Sequence, residues 1–151
     1  MKKIILLFFL LITTNIVACT CFQGKIEKRH YDSAELIIKG KVLKITYDGQ
    51  SNEKIITFQV YKNYKGDLNK IIKIRTHRDG ATCGLPVNNQ DKWLIFAYKK
   101  NNNYNVGLCG KNVRYNKRPS QDRKSRRIKR RKMKGYIKKI NEFRELSIIN
   151  S

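Results

Sequence analysis

Four cysteines stand at Cys19, Cys21, Cys83 and Cys109 in a chain of 151 residues. As free thiols they would offer nucleophiles or metal ligands; oxidised, they would be staples. A Cys83–His77 nucleophile pair would need a free thiol. His30 and His77, the two histidines, form no zinc-ligand spacing with the cysteines. Asp48, Glu53, Asp67, Asp79 and Asp91 are scattered at apparent turns, and the chain has no glycine-rich phosphate loop or serine-nucleophile elbow. These residues predict a binding protein rather than an enzyme, with no cofactor and no metal of its own. An even cysteine count in an exported chain predicts two disulfides. Pairing Cys19 with Cys21 would close a very tight ring. The two other connectivities both tie the N-terminal cysteines to distant strand ends, each closing a long loop worth roughly 4 kcal/mol in the chain-entropy model.

Export is read from the first residues. Lys2 and Lys3 precede an apolar run from Ile4 to Ile12, and small or polar residues lead to Ala18, the layout of a signal peptide over residues 1–18. The run is too short for a permanent membrane anchor. The mature chain is therefore expected to begin at Cys19 and to be secreted, periplasmic or extracellular. A second chemistry competes for the same residue: Ile16-Val17-Ala18-Cys19 fits a bacterial lipobox. A lipid on Cys19 would take its sulfur out of any disulfide, block its amine and make the chain a membrane-anchored lipoprotein. The even cysteine count favours the unmodified residue.

The elements that would position these residues follow from periodicity. A short helix is expected at Lys25 to Tyr31. Strands are expected at Leu36–Ile45, Ile55–Tyr61, Ile71–Thr76, Trp93–Tyr98 and Tyr104–Leu108, bounded by Asp48-Gly49, Gly66-Asp67 and Asn101-Asn102-Asn103. The fourth is the most apolar. Five short strands suggest a small barrel. After Arg114 the chain turns basic, and Met133, Tyr136, Ile137, Ile140 and Phe143 recur at helical spacing. That helix is expected to start at Pro119-Ser120, with Ser120 as N-cap and Asp122 in its first turn. Gly135 weakens its middle. The domain layout is thus a signal over 1–18, a barrel over 19–114 and a basic helical tail over 115–151.

Cys19-Thr20-Cys21, Ser33 to Val42, Tyr64-Lys65-Gly66, Thr82-Cys83-Gly84, Trp93 to Ala97 and Leu108-Cys109 occur in an order that resembles the netrin-like family, specifically the N-terminal domain of tissue inhibitors of metalloproteinases. The likeness runs from about Cys19 to Gly110. It implies a mainly β fold, a five-stranded OB-type (netrin-like) barrel, with Cys19 paired to Cys83 and Cys21 to Cys109. A further cysteine that animal members carry before the first strand is missing near Asp32. Their second cysteine-rich domain is replaced by the basic tail. The resemblance implies a zinc metalloprotease as partner, contacted through Cys19 and Thr20. The α-amine and carbonyl of Cys19 would chelate the catalytic zinc at the position kept open for water, and Thr20 would enter the specificity pocket.

The net charge is +23; without Lys2 and Lys3, +21 remains. Such charge favours polyanions or anionic membrane surfaces. The densest run holds Arg123, Lys124, Arg126, Arg127, Lys129, Arg130, Arg131 and Lys132, and is expected to bind an anionic polymer. It contains no aromatic residues, so single-strand nucleic-acid recognition gains little support, and no sequence-specific nucleic acid is expected as a partner. A richness in Lys, Asn and Ile could also raise the charge without any partner.

Overall fold

A computed structural model describes Cys19, Cys21 and residues 24–66, 69–116 and 122–149. The expected signal segment, Thr20, Asp67 and the expected Ser120 cap lie outside the described residues. The elements run α1 (Lys28–Asp32), β1 (Leu36–Tyr47), β2 (Glu53–Lys65), β3 (Ile71–His77), β4 (Lys92–Lys100), β5 (Asn103–Asn105), β6 (Val113–Arg114) and α2 (Arg123–Ile149).

The strands close into a five-stranded mixed barrel. The hydrogen-bonded order is β1-β2-β3-β5-β4, and β1 returns to pair with β4. All pairings are antiparallel except β3 with β5, where Ile74 and Arg75 face Tyr104 and Asn105 in parallel. Closure needs a long first strand that bends. Three register shifts along the β1–β2 ladder supply the bend, since each extra residue kinks its strand and sharpens the twist. Gly40 sits at one of them. A Cβ there would lie 2.7 Å from the Gln59 carbonyl oxygen, so only glycine lets the strands approach this closely.

Two apolar layers explain the burial pattern. Leu36, Ile38, Val42, Ile56, Phe58, Ile74, Trp93 and Ile95 are among the residues that fill the barrel. Ile37, Tyr64, Leu94, Phe96 and Val113 belong to a second cluster, which Tyr136 and Ile140 of α2 join, with Met133, Ile137 and Phe143 against its edge. Consecutive residues of β4 thus alternate between the two layers, and both layers bury them. This is the physical reason for the unbroken apolar run Trp93–Ala97: a strand covered on both faces has no polar side to alternate with. The Phe96 and Tyr136 rings meet edge to face at 6.4 Å. Tyr31 and Phe143 stack tilted at 6.1 Å.

Several boundaries differ from the sequence reading. The first helix begins at Lys28, because Ile26 is buried and its extended segment runs into the Glu27 cap. The fifth strand stops at Asn105. Val106 still donates to the Arg75 carbonyl at 2.9 Å, but the chain then leaves the sheet to carry Cys109. It returns as β6, which sequence reading missed because two residues carry no periodicity. The C-terminal helix starts at Arg123. Asp122 is its cap rather than a first-turn residue: its Oδ1 accepts from Ser125 N at 2.7 Å. A carboxylate there meets the unpaired amides of the first turn.

Candidate functional site

One end of the barrel holds all four cysteines. Disulfides join Cys19 to Cys83 and Cys21 to Cys109, with Cα atoms 5.8 and 4.8 Å apart; this is the pairing the resemblance implies. A thioether lipid would need the Cys19 sulfur that is bonded here to Cys83. Two bonds two residues apart hold Cys19 and Cys21 to two separate loops.

The loops that receive the bonds are themselves braced. Cys83 lies in the β3–β4 connection, on a turn organised by Asp79. Thr82 donates its backbone N–H and its hydroxyl to Asp79 Oδ1, both at 2.9 Å. The paired Thr82 donors hold the Asp79 carboxyl below the usual aspartate value, as hydrogen bonds to an ionised group do. Cys83 takes a left-handed φ of 61°. Gly84 follows, where a Cβ would collide with the His77 and Asp79 carbonyl oxygens. The Thr-Cys-Gly triplet is therefore a tight turn that aims Cys83 at the N-terminal segment. Lys54, buried on β2, faces the same turn; burial lowers its pKa, against a smaller opposing effect of Asp79.

The two loops are bonded to each other: Leu108 N donates to the Cys83 carbonyl at 2.8 Å. Asn112 ties the second loop to β4, accepting from Phe96 N at 2.9 Å and donating to the Gly107 carbonyl at 3.0 Å. Beyond Cys21, the Gly24 carbonyl accepts from Tyr136 Oη at 3.2 Å and from Lys111 Nζ at 3.3 Å. The C-terminal helix thus helps to fix the N-terminal segment. Sequence reading missed Asp79, Asn112, Lys111 and Tyr136 in these roles. Only Asp79, three residues before a threonine, carried a local signal.

The Tyr64-Lys65-Gly66 triplet has a structural reading. Lys65 Nζ donates to the Tyr31 and Asp32 carbonyls at 2.8 and 3.0 Å, neutralising the C-terminal end of α1. His30 is likewise occupied, its Nδ1 accepting from Glu27 N at 3.0 Å; His77 is exposed at the end of β3. Among the described residues no cluster of three or more His, Cys, Asp or Glu could hold a metal ion, and no helix is long and apolar enough to cross a membrane.

The basic run is sorted by the helix. Arg123, Arg126, Arg127 and Arg130 line one shallow groove. Arg127 and Arg130 continue with Arg131, Met133, Lys134 and Tyr115 into a larger groove of about 720 Å³. Lys124 and Lys129 line neither. Lys132 folds back with Nζ 5.5 Å from the Tyr136 ring centroid, where burial, then Lys111, lowers its pKa. Tyr115 brings to this surface the aromatic ring that the linear run lacks.

No family model and no curated protein matches the chain. Two disulfides favour an oxidising, non-cytoplasmic compartment.

Proposed function

We propose that the chain is an exported netrin-like barrel of the OB type, whose mature form begins at Cys19 and whose stapled N-terminus inhibits a zinc metalloprotease by chelation. The closed order β1-β2-β3-β5-β4, with β3 and β5 parallel, supports the OB reading. The observation that carries the functional reading is the double staple: Cys19 and Cys21 are bonded to two loops that are bonded to each other.

An α-amine has a reference pKa of about 8, so a useful fraction is neutral near neutral pH. The neutral nitrogen and the carbonyl oxygen of Cys19 close a five-membered chelate on zinc and displace the water that the protease needs. Thr20 then enters the specificity pocket. Because the disulfides fix the segment beforehand, little ordering cost falls on binding.

The test compares oxidised chain 19–151 with the same chain carrying one added alanine before Cys19, against a panel of zinc endopeptidases. The expected result is inhibition of at least one protease that the extension abolishes. As pH rises towards the α-amine pKa, it should strengthen up to about tenfold per unit, following the neutral fraction. Equal inhibition by both chains, or none across the panel, would overturn the reading.

A further inference from the structure

A charged surface on α2 shares no residue with the stapled end. Arg123, Arg126, Arg127, Arg130, Arg131 and Lys134 lie at intervals of three and four along α2, so they form one face of the helix. The two grooves they line share Arg127 and Arg130 and are continuous. No acidic side chain lines either groove among the described residues. Five of the six residues are arginine, and all but Arg126 are exposed. Like charges on adjacent turns repel; a sequence that concentrates them on one face favours whatever neutralises them.

We propose that this groove binds an acidic polysaccharide bearing sulfate or phosphate esters. The chemistry of the lining selects the class. Guanidinium forks pair with tetrahedral oxoanions through two parallel hydrogen bonds. Arginines one helical turn apart are spaced about 5–6 Å at Cβ, so one ester can be gripped by two of them. Single-stranded nucleic acid is disfavoured because its bases need open aromatic faces. The one aromatic residue in the groove is Tyr115, and Lys39 Nζ stands over its ring at 5.2 Å. The Tyr115 hydroxyl is shut off from solvent with no hydrogen-bond partner. Burial first, then the neighbouring Tyr61 and Tyr64, raises its pKa, so the ring adds no negative charge to the groove. Two disulfides favour an oxidising, non-cytoplasmic compartment, where an exported polysaccharide can be met.

The experiment titrates the oxidised mature chain with a heparin octasaccharide, a phosphomannan octasaccharide, a hyaluronate octasaccharide and an oligothymidylate of matched charge. It is repeated with Arg127→Gln/Arg130→Gln/Arg131→Gln and with the barrel control Lys44→Gln/Lys70→Gln/Lys73→Gln. All six residues are exposed, and far-ultraviolet circular dichroism checks that both variants keep their helix and strand content. Three exposed charge pairs at about threefold each multiply to a loss of about thirtyfold in the arginine variant. The control should lose under about threefold, the share of general charge. The tighter of the two ester-bearing ligands identifies the ester. Equal losses in the two variants, hyaluronate binding as tightly as the esters, tighter binding of the oligothymidylate, or no binding of any ligand would overturn the proposal. Inhibition through Cys19 uses none of these residues, so the two ideas fail separately.

Discussion

The two disulfides should not contribute independently to stability, and the way they depart from additivity can be worked out. Taken alone, Cys19–Cys83 spans 64 residues and Cys21–Cys109 spans 88. With one bond already formed, the other closes a much smaller ring. That ring runs from Cys19 to Cys21, across to Cys109, back to Cys83 and across again, about 30 residues in all. In the chain-entropy model, removing either bond from the oxidised protein then costs about 3.6 kcal/mol. Removing the second bond afterwards releases the full loop and costs about 4.3–4.6 kcal/mol. The perturbations are Cys21→Ala/Cys109→Ala, Cys19→Ala/Cys83→Ala and the fourfold variant. The assay is urea unfolding followed by the fluorescence of Trp93, the single tryptophan, which is 6% exposed in the barrel. A typical domain has about 5–15 kcal/mol in total, so the fourfold variant should be near unfolding without denaturant. A first removal costing under about 1 kcal/mol, or a second costing less than the first, would refute the reasoning.

Three other perturbations read the surroundings of the site. Gly135 lies inside α2, and a Cβ there would meet nothing within 4 Å, so Gly135→Ala should stabilise the protein by about 0.8 kcal/mol in the same urea assay; a loss of stability would contradict the open surface. Tyr136→Phe removes the hydroxyl held by the Gly24 carbonyl while keeping the ring against Phe96. It should cost about 1 kcal/mol and raise amide exchange in residues 24–27, and unchanged exchange there would mean that the helix does not hold the N-terminal segment. Hydrogen bonds from Thr82 depress the Asp79 pKa from its ordinary 3.8, so their contribution is present above that value and is lost as pH falls through and below it. Exchange protection of the Thr82 amide should follow the same course, and protection that persists after Asp79 is fully protonated would exclude the carboxylate as the brace.

Much of the barrel was legible because its signals are local. The β-branched runs, the turn residues and the dense β4 stretch each report on their own neighbourhood, and the four main strands begin within two residues of where the pattern puts them. The even cysteine count carried the number of disulfides; the pairing came with the resemblance. What remained hidden depends on contacts distant in sequence. Nothing near Tyr136 says that its hydroxyl reaches Gly24, 112 residues away. Nothing near Asn112 says that it bridges β4 and the Cys109 loop. The basic run is visible as charge, but which residues share a face depends on where α2 begins and which side docks. Tyr115 enters the groove only once the barrel has placed β6 beside the helix.

The central claim is that the exported chain starts at Cys19 with its nitrogen uncovered and its sulfur in a disulfide. Non-reducing peptide mapping of the exported protein by mass spectrometry tests it most directly. The account predicts a linked peptide pair joining Cys19 to Cys83, with Cys19 first and an unmodified amine. Acyl chains on Cys19, residues retained ahead of it, or a reduced Cys19 would contradict it.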